Sequence, residues 1–324
     1  MKICVTGAAG FLGSHLAEAL SQEHDVFGID DLSGGDLDNV PDIDFLQMRC
    51  QDLVPNDLKD TEVLYHCAAL AHEGLSVFSP YVITESIFGA SVATFSAAIA
   101  AGVKRIIFCS SMARYGAIRP PFSERDAPEP RDPYGIAKLA SETILLRLSQ
   151  VHDFEFVVAV PHNIVGPRQK YDDPFRNVAS IMANMMLQGE SPYIYGDGLQ
   201  RRCFSDVRDV LPAFLRFLDC HEDTFNVGPD EEPVTILELF ERLAHIIGFQ
   251  GDPIFVFDRP QEVREAICSS DKIREEFGYE TRYSLDQTLE SIAKYIDRMG
   301  PKPFKYHLPL ELPGAPVTWA ERLL

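Results

Sequence analysis

Short apolar runs alternate with amphipathic stretches through the first half of the chain. The apolar runs predict strands at 2–6, 25–30, 44–47, 63–66, 105–109 and 155–160. Apolar residues recurring at helical spacing predict helices at 11–22, about 81–101 and about 133–152. Because the strands are almost continuously apolar and alternate with helices, the pattern predicts an α/β fold with a parallel sheet covered on both faces.

The pattern changes after Gly166 and Pro167, where turn-forming residues become frequent. Helical signals recur at 178–187, 208–219, 235–247 and 286–298. We therefore expect a first unit over residues 1–166, to which about 203–230 return. Residues 167–202 and 231–300 are expected to form a smaller mixed lobe, and the proline-rich residues 301–324 an extended C-terminal arm on the surface.

Composition narrows the class of protein. The 324 residues carry a formal net charge of −20, which argues against a nucleic-acid or anionic-membrane surface. Seven scattered cysteines without a C-x-x-C pair predict free thiols in a reducing compartment. The N-terminus runs directly into a strand, and no apolar stretch is expected to reach the ~18–20 residues that span a bilayer. We expect a cytoplasmic protein.

No metal site is expected, because the histidines show no H-E-x-x-H spacing.

A glycine run follows the first predicted strand and opens the first predicted helix. Gly7, Gly10 and Gly13 suit a tight turn, a close approach to a pyrophosphate and close helix–sheet packing. The second strand ends in Asp30, where an acid can bind both ribose hydroxyls, and Asp31 follows it. No Arg or Lys lies between residues 2 and 49 to receive a 2′-phosphate, which favours NAD over NADP. The alternative is an ordinary tight loop between strand and helix.

A second set of residues suits proton transfer. Tyr134 and Lys138 lie four residues apart in a predicted helix and therefore share one face. A cation near a phenol is expected to lower the phenol pKa, which makes the tyrosine usable as a base. Ser111 follows the fifth strand, where its hydroxyl can reach the same substrate oxygen. The alternative is a solvated pair on a helix surface.

Together these motifs give the chain a resemblance to the extended short-chain dehydrogenase/reductase family, and within it to the nucleotide-sugar 4-epimerases. The matching segments are 6–13, 30–33, 66–69, 108–116, 132–138, 162–167 and 196–202. The resemblance implies a Rossmann-like, doubly wound parallel sheet with a smaller substrate-binding lobe, and permanently held NAD. It also implies that Tyr134 is the base, that Lys138 holds the nicotinamide ribose and that Ser111 hydrogen-bonds the reacting sugar hydroxyl.

The same resemblance implies two groups of binding residues. Those expected at the cofactor are Gly7, Gly10, Phe11, Leu12, Gly13, Asp30, Asp31, Ser33, Asp52 (at the adenine amino group), Leu53, Ala68, Ala69, Ser110, Tyr134, Lys138 and His162. Those expected at the UDP-sugar are Ser111, Met112, Asn163 and Asn177 (at the diphosphate), Arg176, Val178, Tyr193, Tyr195, Arg202 and Arg259 (at phosphate oxygens), Glu262 (at the nucleoside ribose) and Ala266.

The positions after Ser111 bear on the reaction. Related dehydratases and decarboxylases carry an acid there, whereas this chain has Met112 and Ala113, which cannot move a proton. The sequence therefore predicts an NAD-dependent UDP-sugar 4-epimerase. The alternatives are a nucleotide-sugar or other carbonyl reductase that uses free cofactor, and a cofactor-bound protein without activity.

Two residues bear on the sugar and leave it open. In the epimerases that the chain resembles, the position of Ala266 borders the hexose pocket, so this small residue implies room for a 2-acetamido group. N-acetylated hexosamines are therefore expected beside UDP-glucose and UDP-galactose. Arg176 could instead pair with a C6 carboxylate, which makes UDP-glucuronate an alternative, or it could be a surface or phosphate-pairing residue.

The resemblance also implies a homodimer, with helices 81–101 and 133–152 pairing into a four-helix bundle. The alternative is that their extra apolar residues pack on the sheet.

Overall fold

The computed structural model describes residues 1–260 and 262–324. The strands are β1 (Lys2–Thr6), β2 (Asp25–Asp30), β3 (Asp44–Gln47), β4 (Val63–His66), β5 (Arg105–Cys109), β6 (Glu155–Pro161), β7 (Ile164–Val165), β8 (Tyr193–Tyr195), β9 (Arg201–Arg202), β10 (Ser205–Asp206), β11 (Asp223–Val227), β12 (Val234–Thr235), β13 (Ile254–Val256) and β14 (Glu265–Ala266). The helices are α1 (Phe11–Leu20), α2 (Glu73–Ser76), α3 (Pro80–Thr84), α4 (Ala90–Ala101), α5 (Pro133–Ser149), α6 (Val178–Leu187), α7 (Val207–Arg216), α8 (Ile236–Ile247), α9 (Asp271–Phe277), α10 (Leu285–Met299) and α11 (Val317–Ala320).

The centre of the fold is a seven-stranded parallel sheet in the order β11-β6-β5-β4-β1-β2-β3. The pairing of Thr6 with both Ile29 and His66 brings the carboxyl ends of β1, β2 and β4 to one edge of the sheet. The strand order reverses direction at β1, and in such Rossmann-like sheets ligands bind outside the carboxyl ends at this reversal. The expected α/β fold is confirmed.

Helices cover both faces of this sheet. One face packs against α4 and α5, with Phe95, Phe108 and Leu145 in its core. The other packs against α1 and α7, with Leu16 and Phe214 in its core. The edge strand β11 and helix α7 are contributed from beyond residue 203. Helix α9, within the range assigned to the lobe, also packs on the sheet.

The lobe has its own core, formed mainly by α6, α8 and α10. The C-terminal arm is anchored more closely than an extended surface segment would be. Trp319 in α11 is only 2% exposed, and it belongs to a cluster that includes Phe78, Phe175 and Tyr134. The arm therefore contributes to the interior, which corrects the sequence-based expectation.

Helices α3 and α4 join through a π-helical turn, Glu85–Gly89, into one helical run, Pro80–Ala101. By length and mean hydropathy (1.5) this 22-residue run could cross a bilayer, contrary to the expectation that no stretch was long enough. Core helices often pass the same test, and Phe95 and Ala98 of this run are fully buried against the sheet.

Candidate active site

A cleft of about 490 Å³ lies at the carboxyl edge of the sheet, between the sheet and the lobe. It is lined by the glycine loop, the ends of β2 and β5, the first turn of α5 and residues of the lobe and arm. All of the predicted site residues line it except Asp52, Leu53 and His162. The structure thus brings together groups that are up to 259 positions apart in the sequence, from Gly7 to Ala266.

The glycine loop forms a close-packed cradle at one end of this cleft. Gly7 has a φ of +76°, and a Cβ there would lie 2.8 Å from the backbone nitrogen of Ala68. A Cβ on Gly13 would lie 2.0 Å from the Gly7 carbonyl oxygen. Helix α1 begins at Phe11 directly after the loop, so its N-terminus faces the cleft and favours an anionic group there.

Asp30 lies beside this loop at the end of β2. Its carboxylate accepts hydrogen bonds from the backbone nitrogens of Ala9 (3.1 Å) and Leu32 (2.8 Å), which fix its orientation. Burial raises its pKa. Arg176 of the lobe approaches the same region, where its Nη2 lies 3.3 Å from the Gly34 carbonyl oxygen. The arginine therefore lies at the end of the cleft formed by the glycine loop and Asp30.

The catalytic candidates meet near the middle of the cleft. Helix α5 begins at Pro133 because the Asp132 side chain caps it, accepting from the Gly135 nitrogen at 2.8 Å. This start places Tyr134 in the first turn and Lys138 one turn later. The Lys138 ammonium donates to the Cys109 carbonyl at 2.7 Å. Both side chains are buried against protein, 7% and 3% exposed.

The electrostatics of this group differ from the sequence-based expectation. Burial raises the pKa of the Tyr134 phenol above its ordinary value, and a hydrogen bond with Ser111 offsets only part of that effect. Burial also lowers the pKa of the Lys138 ammonium. The expected lowering of the phenol pKa by Lys138 is therefore wrong for the protein alone, because the ammonium is directed at a carbonyl and desolvation dominates.

A buried ion pair supports the loop that carries Ser111. Glu142 lies one turn beyond Lys138 on α5, and Arg114 Nη1 approaches its carboxylate at 3.0 Å. The Ser110 hydroxyl donates to the other carboxylate oxygen of Glu142. The loop after β5 is thereby fixed to the same helix that positions Tyr134.

The far end of the cleft is cationic. Glu262 is bridged by two arginines: Arg202 Nη2 lies 3.1 Å from one carboxylate oxygen, and Arg259 Nη2 lies 2.7 Å from the other. The N-terminus of α6 opens into the same cleft. The Asn177 side-chain oxygen caps this helix by accepting a hydrogen bond from the Ala179 nitrogen at 3.0 Å. Two guanidinium groups and a helix N-terminus suit a ligand with several phosphate oxygens.

The sequence profile of the NAD dependent epimerase/dehydratase family matches residues 3–228. The chain belongs to this family. The matched segment contains the glycine cradle, Asp30, Ser111, Tyr134 and Lys138, whereas Arg259 and Glu262 lie beyond it.

Known members of the family resemble the whole chain. A UDP-glucose 4-epimerase of Mycolicibacterium smegmatis is 32% identical over 314 residues, which cover 92% of this chain and 98% of that protein. The solved UDP-N-acetylglucosamine 4-epimerase of Methanobrevibacter ruminantium is 28% identical with a TM-score of 0.86, covering 92% of this chain and 99% of its own. The UDP-glucuronic acid 4-epimerase of Bacillus cereus, solved with UDP-glucuronic acid and NAD, is 27% identical with a TM-score of 0.85, covering 93% and 100%.

The cradle fits the NAD of this family. The space that a Cβ on Gly7 or Gly13 would fill is occupied by backbone, so the loop presents backbone rather than side chains to a pyrophosphate. Asp30 is fixed by two backbone donors at the end of β2, where a ribose diol is expected. Ser33, Ala68 and Ala69 line the same part of the cleft.

Three predicted cofactor residues lie off the cleft. Asp52 is exposed in a short 3₁₀ turn, and Leu53 packs into the core of the sheet. Their neighbour Gln51 lines the cleft instead, with its amide nitrogen 2.9 Å from a Glu85 carboxylate oxygen. His162 is fully buried and its Nε2 lies 2.7 Å from the Pro229 carbonyl, so it joins the ends of β6 and β11.

Sequence reasoning missed an acid in the cleft. Glu73 begins α2, and its carboxylate is a source of the electrostatic effect on Tyr134. Its side chain faces the cleft. Loss of hydration among the surrounding groups, followed by the negative charge of the neighbouring Asp132, raises the pKa of the Glu73 carboxyl to about 7. No motif marks this residue in the sequence, because only the fold brings α2 beside α5.

Another cluster lies beside the arm. His72, Asp173 and His307 place three potential metal-ligand atoms within 4.8 Å of one another. The Asp173 carboxylate already accepts from His72 Nε2 at 2.8 Å and lies 3.5 Å from Arg176 Nε. These partners hold the pKa of Asp173 near 2 against the opposing effect of burial. The arginine supplies a positive charge at the position where a cation would bind.

Proposed function

We propose that this protein is a UDP-sugar 4-epimerase. One observation carries the proposal: a single cleft is lined by the dinucleotide cradle, the Ser111–Tyr134–Lys138 group and the Arg202–Glu262–Arg259 cluster. This arrangement allows a cofactor and a sugar nucleotide to meet end to end at Tyr134. The named activities of the relatives support the same reaction.

Each group has a distinct role in this reaction. NAD held by the glycine loop and Asp30 would supply reversible hydride transfer at the sugar C4. Tyr134 removes the O4 proton in the oxidation and gives a proton back in the reduction, while Ser111 hydrogen-bonds that oxygen. Lys138, one helical turn from Tyr134, holds the cofactor ribose. Arg202 and Arg259 hold the diphosphate, so the sugar can turn over between the two steps without leaving.

The substrate proposed is a UDP-hexose with an uncharged C6, including the N-acetylated pair. Ala266 lines the cleft as a small side chain and pairs in register with Arg202, which supports a role for it beside the substrate. Arg176 reaches towards Gly34 and Asp30 at the other end. A guanidinium there is suited to the cofactor pyrophosphate, and this location argues against pairing with a C6 carboxylate.

The Tyr134→Phe variant tests the proposal. We expect kcat for UDP-sugar interconversion to fall about 10²–10⁴-fold, because the general base is lost while the ring and its packing remain. Tyr81→Phe is the matched control, since Tyr81 is 75% exposed and lies off the cleft, and it should retain parent activity. Activity of Tyr134→Phe near that of the parent would refute the assignment.

Cofactor and product analysis separates the alternatives. An epimerase interconverts the UDP-sugar without added NAD and without a steady absorbance change. Continuous consumption of added NADH or NADPH would identify a reductase. Loss of water to give a 4-keto-6-deoxy sugar would identify a dehydratase, with Glu73 as the acid to examine first. Each of these two outcomes would overturn the proposed function.

We also propose a homodimer formed through α3–α4 and α5. Within the run Pro80–Ala101, 44% of the residues in its apolar 18-residue window are buried in one chain, and Ile136 (52% exposed) and Leu146 (39% exposed) leave apolar surface on α5. A two-fold pairing of these helices would cover both surfaces. Light scattering at micromolar concentration should give twice the monomer mass, and Ile136→Asp should halve it. A monomeric parent protein contradicts the proposal.

We propose a cytoplasmic location because the cysteines form no disulfide bonds. All seven are free, although several lie buried in the core. A protein with free thiols in its core is suited to a reducing compartment. Fractionation of the source cells, with detection of the chain outside the cytoplasmic fraction, would contradict this.

A further inference from the structure

The first half of the C-terminal arm (residues 301–324) is hydrogen-bonded to the substrate lobe. Asn184 of α6 exchanges two hydrogen bonds with the backbone of Lys302, at 3.0 and 2.8 Å. The backbone nitrogen of Lys305 donates to the Asp172 carbonyl at 2.8 Å. These contacts fix the start of the arm, although its sequence contains few residues that favour regular structure.

The second half of the arm crosses to the sheet domain. The backbone nitrogen of Glu311 donates to the Phe78 carbonyl at 3.0 Å. The Glu311 carboxylate accepts from the backbone nitrogens of Tyr81 (2.9 Å) and Val82 (3.0 Å) at the start of α3. A carboxylate in this position caps the helix and complements its dipole. The arm therefore connects the two sides of the cleft.

From there the arm turns back and places α11 in the wall of the cleft. Trp319 lines the cleft and makes edge-to-face contacts with Phe175 (5.2 Å between ring centroids) and Tyr195 (6.3 Å). Its indole Nε1 is buried and finds no hydrogen-bond partner among the described residues. The adjoining Thr318 hydroxyl lies 2.6 Å from the Tyr195 hydroxyl.

These contacts lie at the cationic end of the cleft. The Arg259 guanidinium stacks over the Tyr195 ring, 4.7 Å from its centroid. Gly74 lies between the same arginine and the arm. A Cβ at this position would lie 3.1 Å from Arg259 Nη1 and 3.4 Å from the Trp319 ring. The arm thus contacts Tyr195, and the Arg259 guanidinium that the proposed function assigns to the diphosphate stacks on the same ring.

We propose that Trp319 forms part of the binding site for the UDP portion of the substrate, and that Thr318 is a positioning residue that acts through Tyr195. This inference rests on the proposed function and extends it to a segment beyond the family match, which ends at residue 228. Trp319 supplies a rigid aromatic wall, and Thr318 orients the Tyr195 ring against which the nucleotide and Arg259 pack. The arm acts on nucleotide affinity, whereas proton transfer is assigned to Tyr134, which shares a packed cluster with Trp319.

The single tryptophan of the chain provides a direct measurement. All tryptophan fluorescence comes from the arm, so titration of the NAD-loaded full chain with UDP alone should change that emission. The half-saturation point should equal the Kd for UDP measured by calorimetry. Saturating UDP that leaves the emission unchanged would overturn the inference.

Substitutions separate the arm from the rest of the site. For Trp319→Ala we expect the Kd for UDP and the KM for the UDP-sugar to rise about tenfold, with kcat and NAD content within about twofold of the parent. Trp319→Phe should recover most of the affinity. Val317→Ala is the control, because Val317 shares α11 but is 44% exposed and lies off the cleft.

A second variant removes one bond without opening a cavity. Thr318→Val keeps the side-chain volume, loses the hydroxyl contact with Tyr195 and should raise the Kd for UDP about threefold to tenfold, again with kcat unchanged. An unchanged Kd for UDP in both Trp319→Ala and Thr318→Val would overturn the inference alone. A parent protein that binds no UDP would overturn the proposed function and the inference together.

Discussion

Replacing Gly13 with alanine should weaken NAD binding or lower the thermal stability, although helix propensity alone favours alanine over glycine. The added Cβ would lie 2.0 Å from the Gly7 carbonyl oxygen, whereas ordinary contact begins at 3.4 Å, a difference of about 1.4 Å. Both colliding groups are backbone, so no flexible side chain can move aside. The first turn of α1 and the glycine loop must therefore separate, and these are the two parts of the pyrophosphate cradle.

The size of the effect follows from two opposing contributions. Forcing an extra methyl into a packed site costs up to about 3 kcal/mol, and alanine in a helix returns about 1 kcal/mol relative to glycine. The net cost of about 2 kcal/mol corresponds to a roughly 30-fold rise in the Kd for NAD if the loop moves. If the loop is held in place instead, the same cost lowers Tm by about 3 °C in a chain of this length.

Calorimetric titration of NAD-stripped protein and a thermal melt measure both effects. Gly89→Ala is the matched control, because it also lies in a helix but its new Cβ would meet only Glu85 Cγ, at 3.9 Å. That variant should keep the parent affinity for NAD and gain a little stability. If Gly13→Ala shows parent values for both the Kd and Tm, the packing argument for the cradle is wrong.

Three further predictions address the rest of the cleft. Glu142→Ala should lower the free energy of unfolding by about 3–5 kcal/mol in a urea titration, because it leaves the Arg114 guanidinium buried without its partner; a loss below 1 kcal/mol would contradict this role. Ala266→Tyr should reduce kcat/KM for the N-acetylated UDP-sugar pair at least about tenfold relative to UDP-glucose and UDP-galactose, and equal effects on both pairs would refute the pocket argument. Glu73 has a pKa raised to about 7, so it is neutral below that pH and negative above it. KM for the diphosphate substrate should therefore rise as the pH increases through 7, and this dependence should be absent in Glu73→Gln; a pH profile shared by both proteins would exclude Glu73 as its source.

Much of the sheet domain could be predicted from the sequence because its signals are local. The apolar run ending at Thr6, the glycines after it and Asp30 at the end of β2 each identify an element or a turn without reference to the rest of the chain. Tyr134 and Lys138 were predictable for the same reason, since helical spacing alone places them on one face. In each case short-range geometry determines the neighbour that matters.

The remaining features depend on contacts between distant segments. Arg176 carried three possible roles in the sequence, and its position beside Gly34 depends on a contact between residues 142 positions apart. Glu73 belongs to no motif, and its raised pKa arises first from loss of hydration in the folded chain and then from Asp132, 59 positions away. Trp319 lies in a proline-rich stretch that resembles a surface segment, whereas the fold buries it at 2% exposure. No local pattern encodes such placements.

The edge strand β11 has a consequence for how the chain acquires its structure during synthesis. The sheet cannot be completed when β6 emerges, because its neighbour β11 begins only at residue 223, after the first part of the lobe. At translation rates of about 5–20 residues per second, the edge of β6 stays unpaired for several seconds. The apolar face that Phe214, Phe217 and Phe225 later cover is open for the same interval. A fragment ending near residue 166 would retain that exposed edge permanently, so we expect it to aggregate, and the cofactor-binding half cannot be isolated by simple truncation.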